Sequence, residues 1–247
     1  MGQADLHIHT TYSYDGTATV RAVLQQAKTA GLDVIAITDH DEILGALEAE
    51  TMCADYQIEV IPGIEISTAE GHLLALFVRS VIPAGRSLSE TLLRVYDAGG
   101  VCIAAHPLAF GARSLTETAI QQAIETRIGQ QVLLAVETCN ASLFYLGSNA
   151  QAARIAQRLE MSAVGSSDSH VAWNIGHGRT LFKGSNAGDF KIALQQKLTQ
   201  AVHFFPRRTP LFLLDHVSRS ALRRLGWVTA LSDPDRLPAL RRLSHTQ

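Results

Sequence analysis

The chain has 247 residues, of which 47% are hydrophobic and 18% are charged, so it is long enough for one large core and has about the length of a (β/α)8 barrel. A formal net charge of -2 neither favours nor excludes a nucleic-acid partner, and no apolar run approaches the roughly 18 residues of a membrane helix. These properties predict a globular protein with no membrane partner.

The cysteines and the start of the chain predict a cytoplasmic location. Cys53, Cys102 and Cys139 are widely spaced and lie in apolar contexts, which is typical of buried free thiols in a reducing compartment. A disulfide frame or a zinc knuckle would need closer or paired spacing. The first residues, MGQADLHIH, contain neither the basic nor the apolar region of a signal peptide.

The first half of the chain alternates between strand and helix patterns. QADLHIHT predicts a short strand, and residues 20–30 predict a helix with Thr19 as its N-cap and Gly31 just after its end. DVIAITDH is a nearly continuous apolar strand, the kind that is buried on both faces of a parallel sheet. A helix over about 42–56 and the strands IEVIPGIEIS and HLLALFV follow.

The alternation continues through the second half. The predicted order is a helix over 87–98, the strand VCIAAHP, a helix over 116–128, the strand LLAVETCN, a helix over 149–159 and the strand SAVGSSDSH. GRTLFKG then adds a short strand, and 187–198 form a final helix. Regular alternation of this kind predicts parallel βα units, in either an open α/β sheet or a barrel.

The last part of the chain, 201–247, is predicted to be a C-terminal extension to a barrel domain at 1–200. It carries eight arginines and three aspartates. We expect the extension to pack on the barrel, and its charge leaves an anion-facing or partner-binding arm open as the alternative.

Residue types that bind metals fall at the ends of the predicted strands. His7 and His9 are two apart on a strand, so their side chains point to the same face. The carboxyl ends of parallel barrel strands meet on one face, so we expect a cluster of His7, His9, Asp39, His40, Glu65, His106, Asp168 and His170. His72 differs from these residues because it begins its strand. That strand therefore runs antiparallel to its neighbour or returns to the same rim through a hairpin.

So many titratable groups at one rim have no use in packing, because buried polar groups without partners are costly. Imidazoles and carboxylates are ligands of divalent transition metals, and a shared Glu65 would bridge two of them. Metals about 3.5–4 Å apart clamp a phosphate and activate a water. Asp39 has two readings, a carboxylate that fixes an imidazole tautomer or a cap for the helix that starts near residue 42.

The motifs HIH, TDHD, PGIE followed by a His, AHP and SDSH, in this order, resemble the motif set of the PHP (polymerase and histidinol phosphatase) superfamily over roughly residues 4–200. The resemblance implies a distorted (β/α)7 TIM-like barrel with a trinuclear metal centre at the C-terminal rim of the strands. It also implies hydrolysis of phosphate esters by metal-activated hydroxide, with no separate protein nucleophile. Mn, Fe and Zn all suit the mixed nitrogen and oxygen ligands.

The resemblance also implies three ligand sets, with up to three metal ions per chain. The family often has Ser-Asp-Gly in the loop after the second histidine, and here the loop reads SYDG, with Tyr14 placed before Asp15. We align Asp15 with the family's ligand. The implied sets are His7, His9, Glu65 and Asp168 for the first metal, Glu65, His72 and His106 for the second, and Asp15, His40 and His170 for the third.

Five further residues are candidates for contact with a substrate. Arginine makes bidentate contacts with phosphate oxygens, so Arg179 is the first choice for a phosphate anchor, with a rim salt bridge as the alternative. His177 and Arg113 are weaker candidates. Glu137 and Asn140 end the sixth strand and either contact the substrate or form structural hydrogen bonds.

The expected function is hydrolysis of a phosphomonoester, either a small phosphometabolite or a nucleotide. Some relatives in the resembled family that act on nucleotides carry a larger inserted cap, whereas the connection over 79–100 is short here. The resemblance therefore implies a more open site, or one closed by the tail, and favours a small phosphorylated substrate. The alternatives are a phosphodiesterase or exonuclease acting on short oligonucleotides and, in another class, a non-catalytic metal-binding structural or partner-binding domain. Nucleic acid is not favoured because only the tail comes near a basic stripe with interleaved aromatic residues, and its aromatic residues are more typical of packing. A metal-dependent amide hydrolase is disfavoured because amidohydrolase barrels, which also begin with HxH, usually carry a bridging lysine on a middle strand, and no lysine ends a strand here.

Overall fold

The computed structural model describes residues 1–142, 145–204 and 218, together with the backbone of 227–230 and 239–242. Its strands are β1 (Gly2–Asp5), β2 (Val34–Ile37), β3 (Glu59–Ser67), β4 (His72–Leu76), β5 (Val101–Ala104), β6 (Leu133–Asn140), β7 (Ser162–Ser166), β8 (Gly178–Phe182), β9 (Gln200–His203), β10 (Trp227–Ala230) and β11 (Ala239–Arg242). Its helices are α1 (Val20–Thr29), α2 (Leu44–Met52), α3 (Leu88–Asp97), α4 (Glu117–Ile124), α5 (Arg127–Val132), α6 (Leu146–Arg158) and α7 (Ala187–Gln195).

Nine strands form one sheet in the order β7-β6-β5-β4-β3-β2-β1-β8-β9. β1, β2 and β3 are parallel to one another, and so are β5, β6 and β7. β4 runs antiparallel to both β3 and β5, which confirms one of the two arrangements expected from the position of His72 at its start. The sheet has more strands than the predicted seven, because β8 and β9 continue it beyond β1.

The sheet curls into a nearly closed barrel, because the chain just beyond β1 meets the chain just beyond β7. Ile8 and Ser169 form a parallel bridge, and His9 N donates a hydrogen bond to Ser169 O at 2.8 Å. The buried Asp5 carboxylate joins the same edges, accepting from Ser167 N at 2.9 Å and from Gly176 N at 2.8 Å. The predicted barrel is therefore confirmed.

Alternate residues of each strand face either the barrel interior or the surrounding helices. In β2, Val34 and Ala36 belong to the interior cluster, whereas Ile35 and Ile37 belong to the cluster beneath the helices. Both faces of this strand are thus apolar, which explains its continuous hydrophobic run.

Helix α7 covers the end of the barrel at which the strands begin. Phe190 from α7 packs edge-on against Phe182 inside the barrel, with 5.5 Å between ring centroids. Ala187 N, at the start of α7, donates to the carboxylate of Glu59, the first residue of β3, at 2.7 Å. The opposite end, where the parallel strands finish, is the end at which the polar side chains gather.

Side-chain caps and one glycine decide where two of the helices begin and end. Thr19 accepts a hydrogen bond from Ala22 N at 3.2 Å, and Gly31 follows α1 with φ 70°, which confirms both predicted ends. The single helix predicted over 116–128 is wrong. Its chain divides into α4 and α5, because Thr126 starts a second helix by accepting from Gly129 N at 2.9 Å.

Most of the predicted C-terminal extension lies outside the described residues. Its beginning belongs to β9, which pairs with β8, and β10 and β11 form a separate antiparallel pair. Within the described residues, no helix combines the length and the apolar character needed to cross a membrane.

Candidate metal centre

All nine predicted metal ligands lie together at the carboxyl end of the parallel strands. Their donor atoms form four overlapping groups in which every atom lies within 4.8 Å of the others. The members of these groups come from positions as distant in sequence as 7 and 170, so only the closed barrel brings them together. The groups are His9, Asp15, His40 and His170; His7, Glu65 and His106; His7, His9 and Asp168; and His40, Glu65 and His72.

Glu65 lies at the centre of the cluster and divides it into two sides. Its Oε2 lies 3.1 Å from His7 Nε2, 3.3 Å from His9 Nε2 and 3.1 Å from His40 Nδ1. Its Oε1 lies 2.9 Å from His72 Nδ1 and 3.1 Å from His106 Nε2. Burial alone would raise the pKa of Glu65, but the imidazoles of His7, His40 and His106 hold that pKa well below its ordinary value.

Asp168 and Asp15 contribute the other two carboxylates. Asp168 Oδ1 lies 3.4 Å from His7 Nε2 and 3.3 Å from His9 Nε2, on the same side as Glu65 Oε2. Asp15 Oδ2 lies 3.1 Å from His170 Nε2 and 3.4 Å from His40 Nε2. Burial raises the pKa of each carboxylate, and the neighbouring histidines outweigh that effect and lower it.

Several buried nitrogen and oxygen atoms of the cluster, which could bind a metal, make no hydrogen bond with the described residues. They belong to the overlapping groups that share His7, His9, His40 and Glu65, and leaving buried polar atoms unpaired costs roughly 1–3 kcal/mol each. Imidazole nitrogens and carboxylate oxygens in this arrangement fit divalent transition-metal ions, whose binding would satisfy them. The atoms are His7 Nε2, His9 Nε2, His40 Nδ1, His72 Nδ1 and Glu65 Oε2.

Comparison with known families agrees with this geometry. Residues 5–96 match the PHP domain, and residues 147–196 match the PHP-associated family PHP_C. The chain belongs to the PHP superfamily. The resemblance seen in the ordered histidine motifs is thereby confirmed.

Three similar proteins show how this PHP chain relates to others. It is 40% identical over 115 residues to the uncharacterized protein MJ1587 of Methanocaldococcus jannaschii, covering 42% of this chain and 67% of that one. It is 31% identical over 159 residues to a 5'-3' exoribonuclease of Haemophilus influenzae, covering 60% of this chain and 58% of that one. A two-domain Bacteroides vulgatus protein containing a predicted PHP-like metal-dependent phosphoesterase has the same fold, with a TM-score of 0.67 and 17% identity, over 82% of this chain and 64% of that one.

Glu137 lies behind the cluster and makes structural hydrogen bonds, one of the two roles considered for it from the sequence. Its fully buried carboxylate accepts from His7 Nδ1 at 3.1 Å, Ser166 Oγ at 2.6 Å and His106 N at 2.6 Å. Asn140 Nδ2 donates to Glu137 and to Asp168 Oδ2, each at 3.0 Å. A neutral His7 that donates from Nδ1 to Glu137 would turn the lone pair of Nε2 toward the cluster.

Asp39 braces the loop that carries Asp15. Its carboxylate accepts from Thr10 N at 2.6 Å, Thr10 Oγ1 at 2.7 Å and Ser13 N at 3.1 Å. Ser13 Oγ in turn donates to Asp15 Oδ1 at 2.8 Å. Of the two roles considered for Asp39, the described hydrogen bonds include neither, because no imidazole is its partner and Glu42 provides the bonds at the start of α2.

Arg179 and His177 are not brought into the cluster. Arg179 donates to Gly176 O and to Gln3 Oε1, each at 2.6 Å, and His177 Nδ1 lies 3.0 Å from Asn174 Oδ1. β8 runs antiparallel to β1, so the chain turns away from the rim after the seventh strand. Burial, helped by the charge of Arg179, lowers the pKa of His177 to about 4.

Arg113 remains beside the cluster. Its backbone carbonyl accepts from His72 N at 2.8 Å, and its guanidinium donates to Thr68 O at 3.2 Å. Of the two arginines proposed from the sequence, the structure therefore places Arg113 nearer to the predicted ligands.

Two tyrosines that the sequence did not identify as site residues lie against rings of predicted ligands. Tyr14 stacks on His40 with 4.9 Å between ring centroids, and Tyr145 lies 5.0 Å from the ring of His106. Tyr14 is next to the predicted ligand Asp15 in sequence, so the sequence could have indicated that it lies near the cluster. Tyr145 follows the end of β6 by five residues, and only the folded chain shows which ring it meets.

Proposed function

We propose that this chain is a metal-dependent phosphoesterase that hydrolyses a phosphomonoester, either a small phosphometabolite or a nucleotide. The observation that supports it most directly is the cluster of six imidazoles and three carboxylates, with Glu65 at its centre, in which several buried nitrogen and oxygen atoms make no hydrogen bond with the described residues. Membership of the PHP superfamily supports the same chemistry.

The residues that would hold the cations are the nine predicted ligands, and Mn, Fe or Zn would suit them. Glu65 would be shared, since its two oxygens face different sets of imidazoles. We assign His7, His9, Glu65 and Asp168 to a first ion, Glu65, His72 and His106 to a second, and Asp15, His40 and His170 to a third.

Divalent cations held here would supply a lowered pKa for water and positive charge opposite the phosphoryl oxygens. The protein supplies orientation, because Glu137 fixes the tautomer of His7 and Asp39 fixes the loop before Asp15. In the net reaction, the oxygen of water forms a bond to phosphorus and the ester P–O bond breaks. The released oxygen takes a proton, so the products are an alcohol and inorganic phosphate.

The balance of charge supports a monoester over a diester. Four carboxylates lie in or directly behind the cluster, those of Asp15, Glu65, Glu137 and Asp168. Three divalent cations would carry more positive charge than these carboxylates carry negative charge, which leaves the site attractive to anions. A phosphomonoester dianion compensates that excess better than a diester monoanion.

A second candidate is a phosphodiesterase or exonuclease that acts on short oligonucleotides. The observation that favours it is the similarity to the exoribonuclease of Haemophilus influenzae. A third, non-catalytic metal-binding role is disfavoured because all nine predicted ligand positions are occupied by residues able to bind metal. The three cysteines are free thiols, which supports our proposal of a cytoplasmic location.

The test combines elemental analysis of the purified protein with phosphate release from nucleotides, small phosphomonoesters and short oligonucleotides. We expect two to three equivalents of Mn, Fe or Zn and release from a monoester. H9A should lower kcat/KM about a thousandfold, since a ligated cation contributes several kcal/mol to the transition state. H203A, which changes a histidine on β9 outside the nine ligands, is the matched control.

Three results would contradict parts of this proposal. Cleavage of oligonucleotides without release from monoesters would replace the phosphatase by the diesterase. Full activity of H9A would show that the cluster is not the catalytic site. No bound metal, and no activity after Mn is added, would favour the partner-binding role.

A further inference from the structure

Hydrogen bonds fix the chain at both ends of the connection between β6 and α6, at the edge of the cluster. Asn140 N donates to Asn149 Oδ1 at 3.0 Å, and Asn149 Nδ2 donates to Asn140 O at 2.9 Å. Ser148 donates to Tyr145 O from its backbone nitrogen at 2.9 Å and from its hydroxyl at 2.8 Å. The backbone of Tyr145 is therefore positioned before any ligand arrives, which limits the entropy lost on binding.

The ring of Tyr145 lies against the ring of His106. The two ring centroids are 5.0 Å apart, and the ring planes are inclined by 37°. His106 Nε2 lies 3.1 Å from Glu65 Oε1, and His72 Nδ1 lies 2.9 Å from the same oxygen. Tyr145 thus borders the Oε1 side of Glu65, where the ligands assigned to the second ion lie.

The hydroxyl of Tyr145 makes no hydrogen bond with the described residues, yet it interacts with four carboxylates of the site. Burial raises the pKa of this hydroxyl, and the negative charges of the carboxylates raise that pKa further. Because Coulomb interactions weaken with distance, a hydroxyl that all four charges influence lies close to the cluster. The carboxylates are those of Asp168, Glu65, Glu137 and Asp15.

Two other neutral groups beside the cluster already have partners within the protein. The amide of Asn140 has two hydrogens and donates to both Glu137 and Asp168 at 3.0 Å. Ser114 Oγ lies 3.1 Å from His106 Nδ1. The Tyr145 hydroxyl, which has no such partner among the described residues, is able to donate its proton to a bound ligand.

We propose that the Tyr145 hydroxyl donates a hydrogen bond to an oxygen of a phosphoryl group bound beside Glu65, His72 and His106, and is thus a catalytic residue. This inference rests on the proposed phosphoesterase function and deepens it by naming a protein donor to the phosphoryl group. Phosphoryl transfer spreads negative charge over three equatorial oxygens, so a donor fixed there stabilises both the bound group and the transition state.

The substitution Y145F tests this role, because it removes the hydroxyl and keeps the ring against His106. We expect Y145F to lower kcat/KM about 10–100-fold, the usual effect of losing a hydrogen bond to a charged group. The loss should be equal for ribose 5-phosphate and phenyl phosphate, which share the phosphoryl group and differ in the leaving group. Y96F is the matched control, because Tyr96 is 47% exposed on α3, and it should behave like the wild type.

A binding measurement separates this proposal from the phosphoesterase function. Calorimetry with inorganic phosphate and the Mn-loaded protein should give a Kd at least about tenfold weaker for Y145F than for the wild type and Y96F. Elemental analysis of the same samples should show equal Mn content in all three proteins, because the substitution changes none of the predicted ligands.

Wild-type turnover and phosphate affinity in Y145F would overturn the inference. Loss of Mn from Y145F would overturn it as well, since the hydroxyl would then support the ligands, and so would a loss of turnover confined to ribose 5-phosphate, which would place the hydroxyl at the leaving oxygen. A wild-type chain that hydrolyses neither ester would refute the phosphoesterase proposal, and the phosphate Kd of Y145F would still decide the role of Tyr145. A wild-type chain that binds no phosphate would refute both.

Discussion

The substitution E137Q tests whether the hydrogen bond from His7 to Glu137 decides which nitrogen of His7 can bind a metal. The Glu137 carboxylate accepts from His7 Nδ1 and Ser166 Oγ through Oε1, and from His106 N and Asn140 Nδ2 through Oε2. Glutamine has one oxygen and one NH2 group, so one of these two pairs must face a donor instead of an acceptor.

The NH2 group of the glutamine would face His7 and Ser166, and its oxygen would face His106 and Asn140. A backbone N–H cannot accept, so the amide oxygen stays opposite His106 N. The NH2 group then faces Ser166 Oγ, which can accept, and His7 Nδ1, which accepts only if its proton moves to Nε2. A proton on Nε2, which lies 3.1 Å from Glu65 Oε2, would take up the lone pair that binds the metal. His7 would then no longer be a ligand.

We expect E137Q to weaken metal binding 10–100-fold, or roughly 1.4–2.8 kcal/mol, the usual cost of losing a partner behind a metal ligand. Chelator competition measures this affinity. E90Q is the control, because Glu90 is a partly exposed partner of Arg94 on α3. Wild-type metal affinity in E137Q would refute the reasoning.

Three further expectations concern stability. G45A should lower the free energy of unfolding by about 1–3 kcal/mol in denaturant titrations, because the added Cβ would collide with the Asp39 carboxylate and crowd Thr10 Oγ1. His177 has a pKa lowered to about 4, so its contribution to stability is full above pH 6.5 and is lost as the pH falls toward 4. The wild type should therefore lose about 1 kcal/mol more than H177Q between pH 7 and pH 5, after allowance for the partial exposure of the ring; equal losses would contradict this. Removal of metal with EDTA should lower Tm, and restoring Mn, Fe or Zn should raise it again by mass action, whereas an unchanged Tm would argue against a metal that stabilises the fold.

The sequence predicted the barrel and all nine members of the cluster because both depend on order along the chain. His7 and Asp168 lie just beyond the ends of β1 and β7, Glu65 lies near the end of β3, and parallel strands bring their ends to one rim. The reversal of β4 was one of the two arrangements considered from the position of His72 at the start of that strand. These features follow from local patterns and from one rule of topology.

The positions of the Arg179 and Glu137 side chains could not be predicted from local sequence patterns, because they depend on how the strands pack. Arg179 follows the seventh strand closely, but β8 returns antiparallel beside β1 and carries the guanidinium to Gln3. Glu137 does end a strand near the cluster, yet its side chain lies behind His7, and only the packed barrel shows on which side of a ligand it lies. Tyr145 likewise meets His106 through a connection whose path the sequence did not indicate.

The reversal of β4 has a consequence for the order in which this protein folds. β3 and β4 are consecutive and antiparallel, with Ser67 opposite His72, so they form a hairpin whose connection spans only 68–71. Hairpins of this size close in about 1–10 μs, whereas pairing β1 with the chain after β7 must bring together residues 161 positions apart, Ile8 and Ser169. Glu65 and His72 can therefore meet while most of the chain is still unfolded. A cation captured by that pair would link the earliest local structure to the last and most distant contacts, so the metal concentration during refolding should change the folding rate as well as the final stability.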